Sequence, residues 1–145
     1  MKSAFATIRL ALIASACAPP AVAVAHHGDA GRYEETISSI TGTVVALQLI
    51  NPHSRIILDV EDDNGELVRW QAEVSSANRL TQLGWDRSTL RPGDQVTLFG
   101  RRVRSGAPYI NLSERARLIR TDTCEELYRS NSPPEGAALV CEPSG

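Results

Sequence analysis

Three histidines are the residues of this chain best suited to chemistry: the adjacent pair His26-His27 and the single His53. Neutral imidazole binds transition metals, and a histidine that begins a chain adds a second donor, because its free amine and its ring can close on one ion. His26 becomes such a first residue only if the segment before it is removed. Lys2 and Arg9 supply a positive start, Leu10 to Cys17 is mostly apolar, and Ala23-Val24-Ala25 places small residues where a signal peptidase cuts. Residues 1–25 are therefore expected to be a signal peptide, and the protein to be periplasmic or secreted. The apolar stretch is shorter than the roughly 20 residues of a membrane span, and Pro19-Pro20 interrupts it. No later segment is long and apolar enough to serve as a transmembrane anchor.

A rival cut exists. Ala14-Ser15-Ala16-Cys17 loosely resembles the box in which a cysteine is lipidated and becomes the first residue, although Arg9 lies close to it and Ala14 replaces the usual leucine. Cleavage there would remove the terminal histidine chelate. The site after Ala25 fits the small-residue rule better.

With a terminal amine and imidazole from His26, a third nitrogen must come from elsewhere; His53 is the first candidate and His27 the alternate. Nitrogen donors in a planar arrangement suit Cu(II), whereas Cu(I) is held more often by sulfur, and Met1 is the only methionine. Copper is thus the expected ion. Zinc is possible through the same imidazoles with Glu34, Glu35 or Glu73 as an oxygen ligand. Imidazole and amine groups ordinarily lose their protons near ~6.5 and ~8, so metal affinity should fall as pH drops. The opposing reading has His26 and His27 exposed at a loose terminus and His53 serving a turn by bonding to nearby backbone.

Removal of residues 1–25 leaves 120 residues, enough for one domain with a modest core. Lys2 and Arg9 leave with the signal, so 13 Arg stand against 17 Asp and Glu, a net charge of −4. That balance opposes general nucleic-acid binding. Two cysteines remain, Cys124 and Cys141, and in an oxidising compartment a disulfide is expected between them. Closing that loop should stabilise the fold by roughly 3 kcal/mol in the chain-entropy account. A two-cysteine metal site is the rival, but neither cysteine has a histidine near it in sequence.

The elements that must position these groups read as strands. From Ile40 to Ile50 the chain is rich in Val, Thr, Leu and Ile, with Val45, Leu47 and Leu49 on one face and Gly42 marking a bulge or bend. Asn51-Pro52-His53-Ser54 breaks that pattern. Ile56, Leu58 and Val60, then Val68, Trp70, Ala72 and Val74, alternate with polar residues around an Asp62-Asp63-Asn64-Gly65 turn. Ser75 or Ser76 can cap a short helix bearing Ala77, Leu80 and Leu83, ended by Gly84, and Trp85 should plug the barrel beside it. Arg91-Pro92-Gly93-Asp94 suits a type II turn before a fourth strand with Val96, Leu98 and Gly100. Ile110, Leu112, Ala116 and Leu118 alternate in a fifth. Three strands, a helix and two strands is the order of a mainly β, five-stranded OB-like barrel with one short helix between strands 3 and 4. It would occupy residues 26–120, with residues 121–145 as a tail pinned by the disulfide. Loops between the first two strands lie at the usual ligand face of such barrels, which places His53 there.

These residues resemble a family of small exported bacterial proteins of uncharacterised function, with His-His at the mature start and an Asn-Pro-His motif between the first strands. His26, His27, Asn51, Pro52, His53 and Ser54 carry the likeness, continued by Trp70, Glu73, Asn78, Leu80, Gly84, Trp85, Leu90, Pro92, Gly93, Asp94, Val96 and Gly100. It runs from about Ala25 to Leu118 and implies export and fold, with no activity attached. Arg55-Ile56-Ile57 stands where members tend to have a second aromatic, and the Cys124 to Cys141 tail looks like an addition. The terminal chelate also resembles that of the histidine-brace copper proteins.

A second class of function is a non-enzymatic envelope binding module without metal, using the barrel face or Arg101, Arg102, Arg104, Arg115, Arg117 and Arg120 to meet an anionic partner. Alternating arginines on a hairpin are more simply its solvated face. Single-stranded nucleic acid would need exposed aromatics, and Trp70 and Trp85 are expected in the core. Catalysis has little support: no nucleophile elbow, phosphate loop or diagnostic acid pair is present, and Ser54 beside His53 lacks a third group to orient the ring.

Overall fold

The computed structural model describes residues 31–132. Residues 1–25, expected as a signal peptide, lie outside the described residues, as do His26, His27, Cys141 and the end of the tail. Seven strands and one helix follow in order: β1 (Ser38–Gln48), β2 (Arg55–Glu61), β3 (Leu67–Glu73), α1 (Ala77–Gln82), β4 (Gln95–Arg102), β5 (Tyr109–Asn111), β6 (Arg117–Arg120) and β7 (Glu126–Arg129). β1, β2 and β3 form an antiparallel meander, β3 pairs in parallel with β5, β5 pairs with β4, and β4 returns to β1. That circuit is a closed five-stranded OB-like barrel with its single short helix between strands 3 and 4. No helix among the described residues is long and apolar enough to cross a membrane.

The two clearest strands behave as their alternation dictates. Ile56, Leu58, Trp70, Ala72 and Val74 are buried, Val60 and Val68 pack against them, and the charged alternates face outward. Asp62 shapes the intervening turn by accepting from the backbone N–H groups of Asn64 and Glu66, while Gly65 takes a positive φ of 81°. Those N–H groups hold the Asp62 carboxyl below its usual range, the Glu66 bond being the larger cause.

β1 departs from the expectation. Its buried face is first Gly42 and Val44; the register with β2 then slips between Val44 and Ala46, and Leu47 and Leu49 turn inward beyond that point. One inserted residue reverses which alternate faces the core, so Val45 does not share a face with Leu47 as expected. Gly42 lies before this bulge. Its role is close approach: a Cβ there would sit 2.7 Å from the Asp59 carbonyl oxygen.

Ser76 caps α1, its hydroxyl accepting from the Arg79 N–H at 3.2 Å, and Gly84 follows the helix with φ 88°. The helix is six residues long, so it presents only Leu80 to the core; Leu83, expected beside it, is the C-cap and exposed. Trp85 does fill the barrel end, donating from Nε1 to the Leu127 carbonyl at 3.0 Å and meeting Tyr128 edge to face.

The single expected fifth strand is two. β5 ends at Asn111, Arg115 adopts a left-handed φ of 49°, and β6 resumes at Arg117. β4 is shared between them: Val96 to Phe99 pair with β6, and Arg101 and Arg102 pair with β5. The alternation of Ile110, Leu112, Ala116 and Leu118 survives the break because all four remain buried. β7, expected as part of an irregular tail, pairs with β6 and buries Tyr128.

Candidate functional site

The chain enters the barrel beside β4. Tyr33 bridges to Val103, and the Glu34 N–H donates to the Arg102 carbonyl, so this short arm lies along the end of β4. A cavity of about 650 Å³ opens there, lined by Gly31, Tyr33, His53, Glu73, Arg101 and Ser113 among others. Its residues come from four places distant in sequence: the arm, the β1–β2 loop, the end of β3, and the β4–β5 pair.

The β1–β2 loop is built on Ser54 and Asn51 rather than on the histidine. Ser54 is fully buried, exchanges backbone hydrogen bonds with Ser75 and Val74, and donates its hydroxyl to the Ile50 carbonyl at 3.2 Å. That placement removes it from any role as a nucleophile. Asn51 accepts from the backbone N–H of Asn78 at 3.4 Å, and the Asn51-Pro52 peptide is cis. His53 is thereby left half exposed, with Nδ1 3.5 Å from Oε1 of Glu73. In place of the bond to nearby backbone that the opposing reading gave it, His53 makes this contact with the end of β3.

Glu73 sits at the centre of a polar network. Parallel register sets it beside Asn111, with Tyr109 on the same face two residues earlier. The Tyr109 hydroxyl donates to Oε2 of Glu73, and Asn111 Nδ2 donates to Oε1 at 3.4 Å and to the Tyr33 hydroxyl at 3.3 Å. Tyr33 and Tyr109 stack with ring centroids 6.5 Å apart, and the Arg32 guanidinium lies over both rings. Burial, followed by the bond to Glu73, pushes the Tyr109 phenol well above its ordinary range. It therefore remains a proton donor through the neutral range.

Of the oxygen ligands considered for zinc, Glu73 is the one brought next to His53. Glu35 lines the same cavity and lies 3.6 Å from Arg104. Glu34 does not line it. Among the described residues, no group of three or more His, Cys, Asp or Glu side chains is arranged to hold a metal ion. Cys124, just before β7, has a left-handed φ of 57°.

The six arginines are each engaged with a neighbouring group. Arg101 meets Glu114, Arg104 meets Glu35, Arg117 meets Glu126 and Arg120 meets Asp94 at 2.8 Å. Arg102 covers the Trp70 ring, and Arg115 donates to the Glu35 carbonyl. Trp70 and Trp85 are core residues, as expected.

The sequence reading did not find Tyr33, Tyr109, Asn111, Arg101 or Ser113 as a group. The available signal was slight: Tyr109 and Asn111 alternate with buried Ile110, which places them together on the other side of the strand from the core. Their partnership with Glu73 depends on a parallel pairing that local pattern does not announce.

No curated protein and no solved structure matches the chain. A family model does, over residues 12–109, and it covers β1 to β4 together with the His53 loop and Glu73. The chain belongs to that family, described as a family of unknown function (DUF6152).

Proposed function

We propose that this protein is exported, is cut after Ala25, and binds a transition-metal ion, Cu(II) foremost, through the amine and imidazole of His26 and the imidazole of His53. His27 is the alternate nitrogen. The observation that carries this reading is the position of Gly31 on the rim of the cavity that holds His53. Gly31 is five positions on from His26, a reach of at most about 18 Å at ~3.3–3.6 Å per residue, which supports a terminus able to reach the cavity that His53 lines.

Glu73 suits this role as a support for the ligand. A carboxylate facing Nδ1 favours the tautomer that carries its proton there and leaves the Nε2 lone pair for a metal. Both Glu73 oxygens already accept hydrogen bonds, from Tyr109 and Asn111, which keeps the carboxylate in place. Direct ligation by Glu73, the arrangement zinc would favour, has to disturb those bonds. The same occupation favours the second reading, a metal-free binding module at the envelope, because it makes the network complete without an ion. A Cys124–Cys141 disulfide belongs to the proposal too, closing the tail behind β7.

Calorimetry with Cu(II) separates the readings. The chain beginning at His26 should bind at least tenfold more tightly than the same chain with its terminal amine acetylated, because the acylated nitrogen is no longer a basic donor. Equal affinity of the two would exclude the terminal chelate. Mass spectrometry of the exported protein, native and after thiol alkylation, reports the cut, the bound ion and the cysteine pairing together; a start at Cys17 would also defeat the proposal.

A further inference from the structure

Two buried side-chain atoms among the described residues have no hydrogen-bond partner, Nε of Arg101 and Oγ of Ser113, and both residues line the cavity beside His53. Buried polar groups are nearly always paired, and leaving a donor of a charged group unanswered is costly. Two such atoms on one cavity mark a place where a ligand supplies what the protein does not.

The chemistry required is that of an acceptor. Arg101 Nε carries a proton and has no lone pair, and the Ser113 hydroxyl can donate. Ser113 is held in position by its own N–H, which donates to Oδ1 of Asn111 at 2.9 Å, and Arg101 lies opposite Asn111 in the β4–β5 ladder. Arg32, on the rim, has its guanidinium over Tyr33 and Tyr109 and no ion pair with a carboxylate among the described residues.

The carboxylates lining the same cavity are each engaged. Glu73 accepts from Tyr109 and Asn111, Glu35 pairs with Arg104, and Glu114 lies 3.5 Å from the terminal nitrogen of Arg101. The last contact is loose. Glu114 is 73% exposed while the Arg101 side chain is only 16% exposed, so solvent screens the acid more than the base. Arg101, whose guanidinium also lies over the Tyr33 ring, and Ser113 thus keep donors with no acceptor.

We infer that Arg101 and Ser113 form a subsite for a small oxyanion, with Arg32 closing over it from the rim. Arg101 Nε–H and the Ser113 hydroxyl donate to oxygens of one anionic group, in the charge-assisted manner that makes arginine a common receiver of carboxylate and phosphate. The volume suits a small organic acid as well as an inorganic ion. This subsite does not depend on a metal at the histidines.

The test uses the exported chain, stripped of metal with a chelator and held at constant ionic strength with sodium chloride. Acetate, succinate and inorganic phosphate are titrated separately, followed by calorimetry and by amide shifts in NMR. At least one should saturate, with shifts centred on Arg101, Asn111 and Ser113. Ser113→Ala should weaken it at least fivefold and Arg101→Gln at least tenfold. Preference for acetate or succinate identifies a carboxylate ligand, and preference for phosphate a phosphoryl one. If none of the three saturates, or if Ser113→Ala binds as tightly as the parent, the donors are answered by solvent and the subsite is disproved. Because the Ser113 change is small and removes no recorded bond, it keeps the test decisive even if Arg101→Gln fails to fold.

Discussion

Glu126, on the flank formed by β6 and β7, accepts from both Arg117 and Arg129, and Asp94 nearby on the chain leading into β4 closes on Arg120 at 2.8 Å. At the cavity, by contrast, His53 stands 3.5 Å from Glu73, and Arg101 Nε has no acceptor. Both regions are rich in charge and both are attached to β4. The flank closes its charges on one another and gains stability; the cavity leaves groups open, as the proposed binding requires. A cluster of arginines in the sequence could not tell these uses apart, since Arg101 and Arg117 differ in what the fold brings to them.

The strongest way to break the comparison is to remove the apolar anchor of the flank. Trp85→Ala should cost about 3–5 kcal/mol in urea denaturation, because it deletes a buried ring, its edge contact with Tyr128 and its bond to the Leu127 carbonyl. A loss below about 1 kcal/mol would mean that β7 is held by something else. Glu126→Gln comes next, at about 1–2 kcal/mol at neutral pH, for a charge-assisted pair on a partly buried carboxylate. Hydrogen bonding from Arg129, then from Arg117, depresses the Glu126 carboxyl. For Asp94, burial pushes the carboxyl up, but the Arg91 N–H and the Arg120 guanidinium outweigh it. With both values lowered on folding, the unfolded chain takes up more protons in acid. The pairs therefore contribute fully above the ordinary carboxylate range near ~4, and their contribution falls away as pH drops through the lower folded values. Glu126→Gln should flatten that acid decline, measured as urea midpoints across pH 2 to 7.

The smallest effect on stability sharpens the contrast from the other side. His53→Ala should change unfolding free energy by no more than about 0.5 kcal/mol, because the ring is half exposed and Ser54 and Asn51 maintain the turn. The same variant should lose most Cu(II) affinity in calorimetry. A large destabilisation with unchanged Cu(II) binding would assign His53 to the fold instead.

The barrel was legible because its clearest strands obey one local rule. Ile56, Leu58, Trp70 and Ala72 alternate with solvent-facing residues, and Ser76 and Gly84 bracket the helix with recognisable caps. What escaped depended on distant neighbours. The slip between Val44 and Ala46 has no composition of its own, and a left-handed arginine at position 115 is not a residue that advertises a break. At the site, His53 was visible as a lone histidine in a loop, but the Tyr33, Glu73, Tyr109 and Asn111 network requires the arm and β3–β5 pairing to be known. Unanswered donors at Arg101 and Ser113 are defined by what surrounds them, and local sequence does not record that.

The parallel pairing of β3 with β5 also sets an order of events. Gln71 meets Tyr109, so this seam of the barrel joins segments separated by the whole of α1 and β4. Until that seam forms, β3 and β5 each expose an unpaired edge, and the cavity lacks the wall they make together. Non-local closure of this kind makes folding slow relative to strand and turn formation. A chain emerging from its amino end would thus be able to pair its first hairpin before the cavity exists, because the cavity is complete only once Asn111 has docked beside Glu73.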